Sequence, residues 1–161
     1  MYLSIRKTSL GLILTTAAIA IMSLSAYASD PLAGTWELNV ERSTFSPGPP
    51  PKSEIRTYEV TGQQEKMGVK RIDAKGDETS FGFTANRDGK DYPYEGSPTI
   101  DTISLTSVDT FTATYVLKKA GEVVLTGTRA ISKDGKTMTL PIKFTTPKGV
   151  QVDNLMIFDK R

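Results

Sequence analysis

The sequence predicts an all-β fold, an antiparallel meander closed as a barrel of about eight to ten strands. Three observations carry this reading. Beyond Thr35, apolar and polar residues alternate in short runs, the period of a strand with one buried face. Glycine-bearing turn signals separate the runs at intervals of about 8–12 residues. No stretch combines a helical period with a capping residue. A two-sheet sandwich of the same strands is the alternative arrangement.

Residues 1–28 read as an export signal rather than as part of the fold. Arg6 and Lys7 form a basic start, Leu10 to Leu24 is apolar, and Ala26-Tyr27-Ala28 is a small-x-small cleavage site. The apolar run is short for a membrane span, and no basic stop-transfer cluster follows it. Cleavage after Ala28 is expected, leaving residues 29–161 as one exported domain with no stable membrane insertion.

The signal takes two of the 20 basic residues and none of the 18 acidic ones, so the remaining chain carries 18 of each. A balanced charge leaves no electrostatic footprint for nucleic acid. The chain has no cysteine and no histidine. It must therefore fold without disulfides, and it lacks the ligands of common zinc sites and the Ser-His or Cys-His nucleophile arrangements. No metal and no cofactor is expected.

In chain order, Asp30-Pro31-Leu32-Ala33-Gly34 turns into a first strand, Thr35 to Glu41, which carries the sole tryptophan, Trp36. Trp36 is expected to close one end of the barrel. The linker from Ser43 to Ser53 contains Pro47-Gly48-Pro49-Pro50-Pro51 and predicts a rigid, extended crossover or lid over one barrel end. Nine further strands follow: Glu54–Val60, Lys66–Ala74, Thr79–Asn86, Lys90–Tyr94, Thr99–Ser107, Thr110–Lys118, Glu122–Ser132, Thr137–Thr145 and Val150–Lys160. The turns between them carry Thr61-Gly62, Gly76, Asp88-Gly89, Ala120-Gly121, Asp134-Gly135 and Lys148-Gly149. Asp-Gly is a strong hairpin signal because a type I′ turn needs positive φ at both central residues.

Parity then assigns faces. Phe81, Phe83 and Ala85 share one, as do Phe111, Ala113, Tyr115 and Leu117, and Met138, Leu140, Ile142 and Phe144. The last strand is apolar on both sides, since Leu155 and Ile157 oppose Val152, Met156 and Phe158. A covering segment, the proline linker, is expected over its outer face.

Gly34-Thr35-Trp36 at the first strand and Gly127-Thr128-Arg129 late in the meander resemble the lipocalin-like (calycin) group of secreted β-barrels. The linker Phe45–Pro51 and the segment Asp88–Pro93 are similar to those of small exported bacterial proteins of that type. The resemblance implies a closed barrel in the periplasm or outside the cell. It also implies that Arg129 lies across the indole of Trp36 and seals the barrel bottom, a structural role for both residues.

A barrel of this size holds one small ligand or is filled by its own side chains. Polar residues in phase with apolar ones mark where to look. Asp101 shares parity with Ile103 and Leu105, and Arg71 and Asp73 share it with Met67 and Val69. Either aspartate, paired inside the barrel with an arginine, would anchor a ligand carboxylate, carbonyl or hydroxyl. Tyr58, Phe81, Phe83, Phe111 and Tyr115 are expected to supply aromatic walls.

Three functions fit these features. The first is binding of a small apolar or amphipathic molecule through Tyr58, Arg71, Phe81, Phe83, Asp101, Phe111 and Tyr115. The second is an isomerase-, cyclase- or lyase-type reaction resting on a raised-pKa Asp101 with Tyr115 or Arg129. The third is an envelope-interaction protein whose barrel is filled and whose surface does the work.

Overall fold

The computed structural model describes residues 29–146 and 148–161; the expected export signal lies outside them. The alternation resolves into ten strands: β1 (Gly34–Leu38), β2 (Ser53–Thr61), β3 (Gln64–Ile72), β4 (Glu78–Asn86), β5 (Asp88–Glu95), β6 (Thr102–Ser107), β7 (Thr112–Lys119), β8 (Glu122–Ile131), β9 (Thr137–Thr145) and β10 (Gln151–Lys160). Each pairs antiparallel with its chain neighbours, and β1 pairs with both β2 and β10, so the sheet closes into a barrel. Closure pairs both edges that an open meander would leave bare. The sandwich alternative is thereby excluded.

All ten expected strands are present with ends shifted by a few residues. Asp88-Gly89 lies inside β5, where the β5–β6 register shifts between Asp88 and Asp91 and Gly89 adopts φ 77°. The β4–β5 register, Gly82↔Glu95 and Phe83↔Tyr94, is centred on these same two residues, and the preceding Arg87 N–H donates to the Gln63 carbonyl at 3.0 Å. The positive φ of Gly89 thus serves the tip of the β4–β5 hairpin as well as the irregularity toward β6. At Ala120-Gly121, φ values of 51° and 83° form the tight turn that the sequence signals.

The two barrel ends differ. At one end the chain enters through Asp30–Ala33, and Leu32 is 1% exposed beneath the barrel. Trp36, fully buried, donates its Nε1–H to the Leu32 carbonyl at 2.8 Å and packs in the same core as Phe158 and Met138. Trp36 thus closes this end. The cation over its indole is Lys160, 5.1 Å from the ring, whose Nζ also donates to the Pro31 carbonyl at 2.8 Å. Arg129 instead lies 5.2 Å over the Tyr58 ring, so the expected Arg129–Trp36 stack is corrected. The reason is register: Trp36 faces Lys160 across the β1–β10 pair, whereas Arg129 lies on β8.

The other end is the mouth. On the outer face of β10 Ile157 is buried, but the segment between β1 and β2 does not cover Leu155. It continues along the β10 edge beyond β1, with Thr44 paired to Leu155 and the Asp153 N–H donating to the Ser46 carbonyl at 2.8 Å. Leu155 accordingly stays 38% exposed. Further on, Phe45, Pro49 and Pro51 face the space inside the mouth.

Candidate functional site

Aromatic and aliphatic side chains fill the closed half of the barrel; the mouth half encloses a cavity of about 630 Å³. Its wall comes from the inward parity of eight strands, β2 to β4 and β6 to β10, together with Tyr94 of β5. Phe81, Phe83, Ile103, Leu117, Leu140, Ile142 and Met156 make it mainly apolar. The size lies within the range of small-molecule sites.

Three guanidinium groups, Arg56, Arg71 and Arg129, interrupt this apolar wall. Each is tied to a carboxylate sealed from solvent. Glu54 accepts from Arg56 Nε at 2.6 Å and from Arg71 Nε at 2.5 Å. Glu65 binds Arg129 through both Nη atoms, the second at 2.9 Å, and accepts from Arg87 Nε at 3.1 Å. Arg87 also reaches Asp30 at 2.7 Å, which joins the entry segment to the closed end.

Electrostatics account for the pairing. Burial disfavours the Glu54 carboxylate, yet Arg56 and Arg71 together outweigh that cost and hold its pKa below the ordinary value. Asp30, likewise penalised by burial, is held low by Arg87. Burial works against the charge on Arg56, but Glu54 reverses it and keeps the guanidinium protonated at every relevant pH. Burial pushes the Tyr94 phenol up to about 12, and it raises Tyr115 in the same direction. Both phenols are therefore neutral hydrogen-bond donors at physiological pH.

Close approach positions one of them. Gly127 lies opposite Tyr115 in the β7–β8 pair, and a Cβ there would stand 2.4 Å from the phenol oxygen. The missing side chain is the space that the Tyr115 ring occupies.

Of the residues expected at a site, Tyr58, Arg71, Phe81, Phe83 and Tyr115 line the cavity, and so does Arg129. Asp73 stands at the mouth, its Oδ1 accepting from the N–H groups of Lys75, Gly76 and Asp77 at 2.8, 2.8 and 2.9 Å. Two expectations are corrected. Asp101 is exposed outside the barrel and bound to Lys119 Nζ at 2.7 Å and to the Ala120 N–H at 2.8 Å, because it precedes β6 in the loop after β5. Those same partners hold its pKa low, the opposite of what a general base at neutral pH requires. Phe111 precedes β7 and packs near Leu32 and Ile131 at the closed end, away from the cavity.

The residues missed are Glu54, Arg56 and Glu65. Each is in phase with a recognised inward residue: Glu54 and Arg56 with Tyr58, Glu65 with Met67. Parity alone would have found them. Glu65 was hidden by its place beside the polar Thr61–Gln64 hairpin, which reads as turn.

No known protein family matches the sequence, and no curated protein does. Among solved structures, a redesigned β-barrel is similar, with 11% identity and a TM-score of 0.48, covering 81% of this chain and 92% of the other.

Proposed function

We propose that this is an exported, lipocalin-like barrel that binds one small apolar or amphipathic molecule in its mouth-side cavity. The observation that carries the reading is the cavity of about 630 Å³, apolar in most of its lining, above a closed and fully packed base. A protein that works only through its surface has no need to keep such a space, since filling it with side chains would add burial energy. The enzyme reading draws less support, because Glu54 and Glu65 are each committed to two arginines and Asp101 lies outside.

Native mass spectrometry of the protein purified from its host's envelope tests the reading, together with uptake of Nile red, an apolar dye. A co-purifying small molecule or dye binding, lost in Leu140→Trp, is the expected result. A ligand-free mass together with no dye uptake by the wild type would sink the proposal.

A further inference from the structure

Given the ligand cavity proposed above, the charges inside the barrel point to the chemistry of the ligand's head group. Around Glu65, two arginines (Arg129 and Arg87) meet two carboxylates (Glu65 and Asp30). Around Glu54, two arginines share one carboxylate. The surplus is a single positive charge.

Of the two arginines at Glu54, Arg71 reaches the mouth with its side chain 34% exposed, where water screens it. Arg56 is 7% exposed and lies deeper, in the wall of the cavity. Its guanidinium stacks 4.8 Å over Phe158, and Glu54 engages its Nε, so the pairing with Glu54 leaves the two Nη groups unused. Unused donors on a buried cation are unfavourable until an acceptor meets them. Beside them, Tyr94 and Tyr115 line the cavity, and their neutral phenols are hydrogen-bond donors.

We infer that the ligand is a monoanionic amphiphile whose carboxylate-type head group binds deep in the cavity, between the Arg56 Nη groups and the Tyr94 and Tyr115 hydroxyls. Its apolar body then runs outward past Phe81 and Ile142 to the proline segment at the mouth. The guanidinium fork fits the two oxygens of a carboxylate, and the phenols supply further donors to the same anion. A cationic head group would meet Arg56 as a like charge. An uncharged one would leave the surplus unmatched. A dianion would bring more charge than the site can neutralise.

Calorimetric titration of the wild-type chain with decanoate, decanol and decyltrimethylammonium tests this. Decanoate is expected to bind at least about tenfold more tightly than decanol, with the ammonium weakest. Arg56→Gln leaves Glu54 matched one-to-one by Arg71, so it should abolish the preference and bring decanoate and decanol within about twofold of each other. If decanol equals decanoate on the wild type, the head-group assignment is overturned and the cavity reading stands. If none of the three binds and Nile red is not taken up, both fall. A preference that survives Arg56→Gln overturns the assignment to Arg56. Should that variant not fold, carbon-13 NMR of carboxyl-labelled decanoate on the wild type decides: a bound head group at Arg56 stays ionised well below the pH at which free decanoate protonates. Protonation at the same pH as the free acid overturns it.

Discussion

Glu54 shows what a buried charge demands of its neighbours. Removing its negative charge while keeping its shape strands two guanidiniums inside the barrel. Glu54→Gln is therefore expected to cost about 3 kcal/mol in urea unfolding, within the range for breaking a buried pair. Asp101→Asn, at an exposed ion pair, should change stability by no more than about 0.5 kcal/mol. The pH dependence follows from the same pairing. Folding depresses the pKa of Glu54 and of Asp30, so their contribution is complete above the unfolded carboxylate range and is lost as pH falls through the lower folded values. The urea midpoint should hold from neutral pH to about 5 and then decline below about 4, with a flatter decline in Glu54→Gln. A midpoint that rises on acidification would contradict the assignment. These charges follow the strand period, but their polarity made them read as surface.

Among the elements, two prolines interrupt the hydrogen-bonded wall. Pro141, in β9, stands beyond the point at which the β8–β9 ladder stops, at Ala130↔Thr139. Pro93, in β5, stands beyond the last β4–β5 pair, Phe83↔Tyr94. Each lacks a ladder donor, and each stands where pairing to one neighbour has stopped while it continues to the other, at Pro141↔Leu155 and Pro93↔Thr102. Above Thr139 the facing edges of β8 and β9 are unpaired on the mouth side, beside the cavity residues Leu125 and Ile142. Native-state hydrogen exchange should show amides along this seam exchanging much faster than those of the fully paired β2–β3 hairpin. Equal protection in both places would mean that the seam is closed. The prolines are visible in the sequence; which side of each strand they unzip depends on the pairing.

The whole molecule divides its labour between a packed base and a hollow top. Trp36, Leu32, Phe158 and Met138 are all at most 1% exposed and carry the closed end. Trp36→Ala should destabilise by about 3–5 kcal/mol, since it deletes a large core side chain and opens a void. Its loss also frees the Leu32 carbonyl from its hydrogen bond. Differential scanning calorimetry checks this. A loss under about 1 kcal/mol would place the stability of the barrel elsewhere. The cavity carries little of that load, which is why an apolar space can persist at the mouth.

The sequence by itself determined the all-β class, the succession of antiparallel hairpins, most of the inward faces and the role of Trp36 at one end. Each rests on local physics: a period of two, turn chemistry, and the burial of a single large indole. Only the tertiary structure decided which cation covers that indole, because strand register puts Lys160 opposite it and not the Arg129 that the resemblance implied. It also decided that Asp101 faces water and that Glu54 and Glu65 do not. The physical reason is closure. Parity says which side of a strand a residue takes, but whether that position lies in the barrel wall or in a loop beyond its rim depends on where the ladders begin and end.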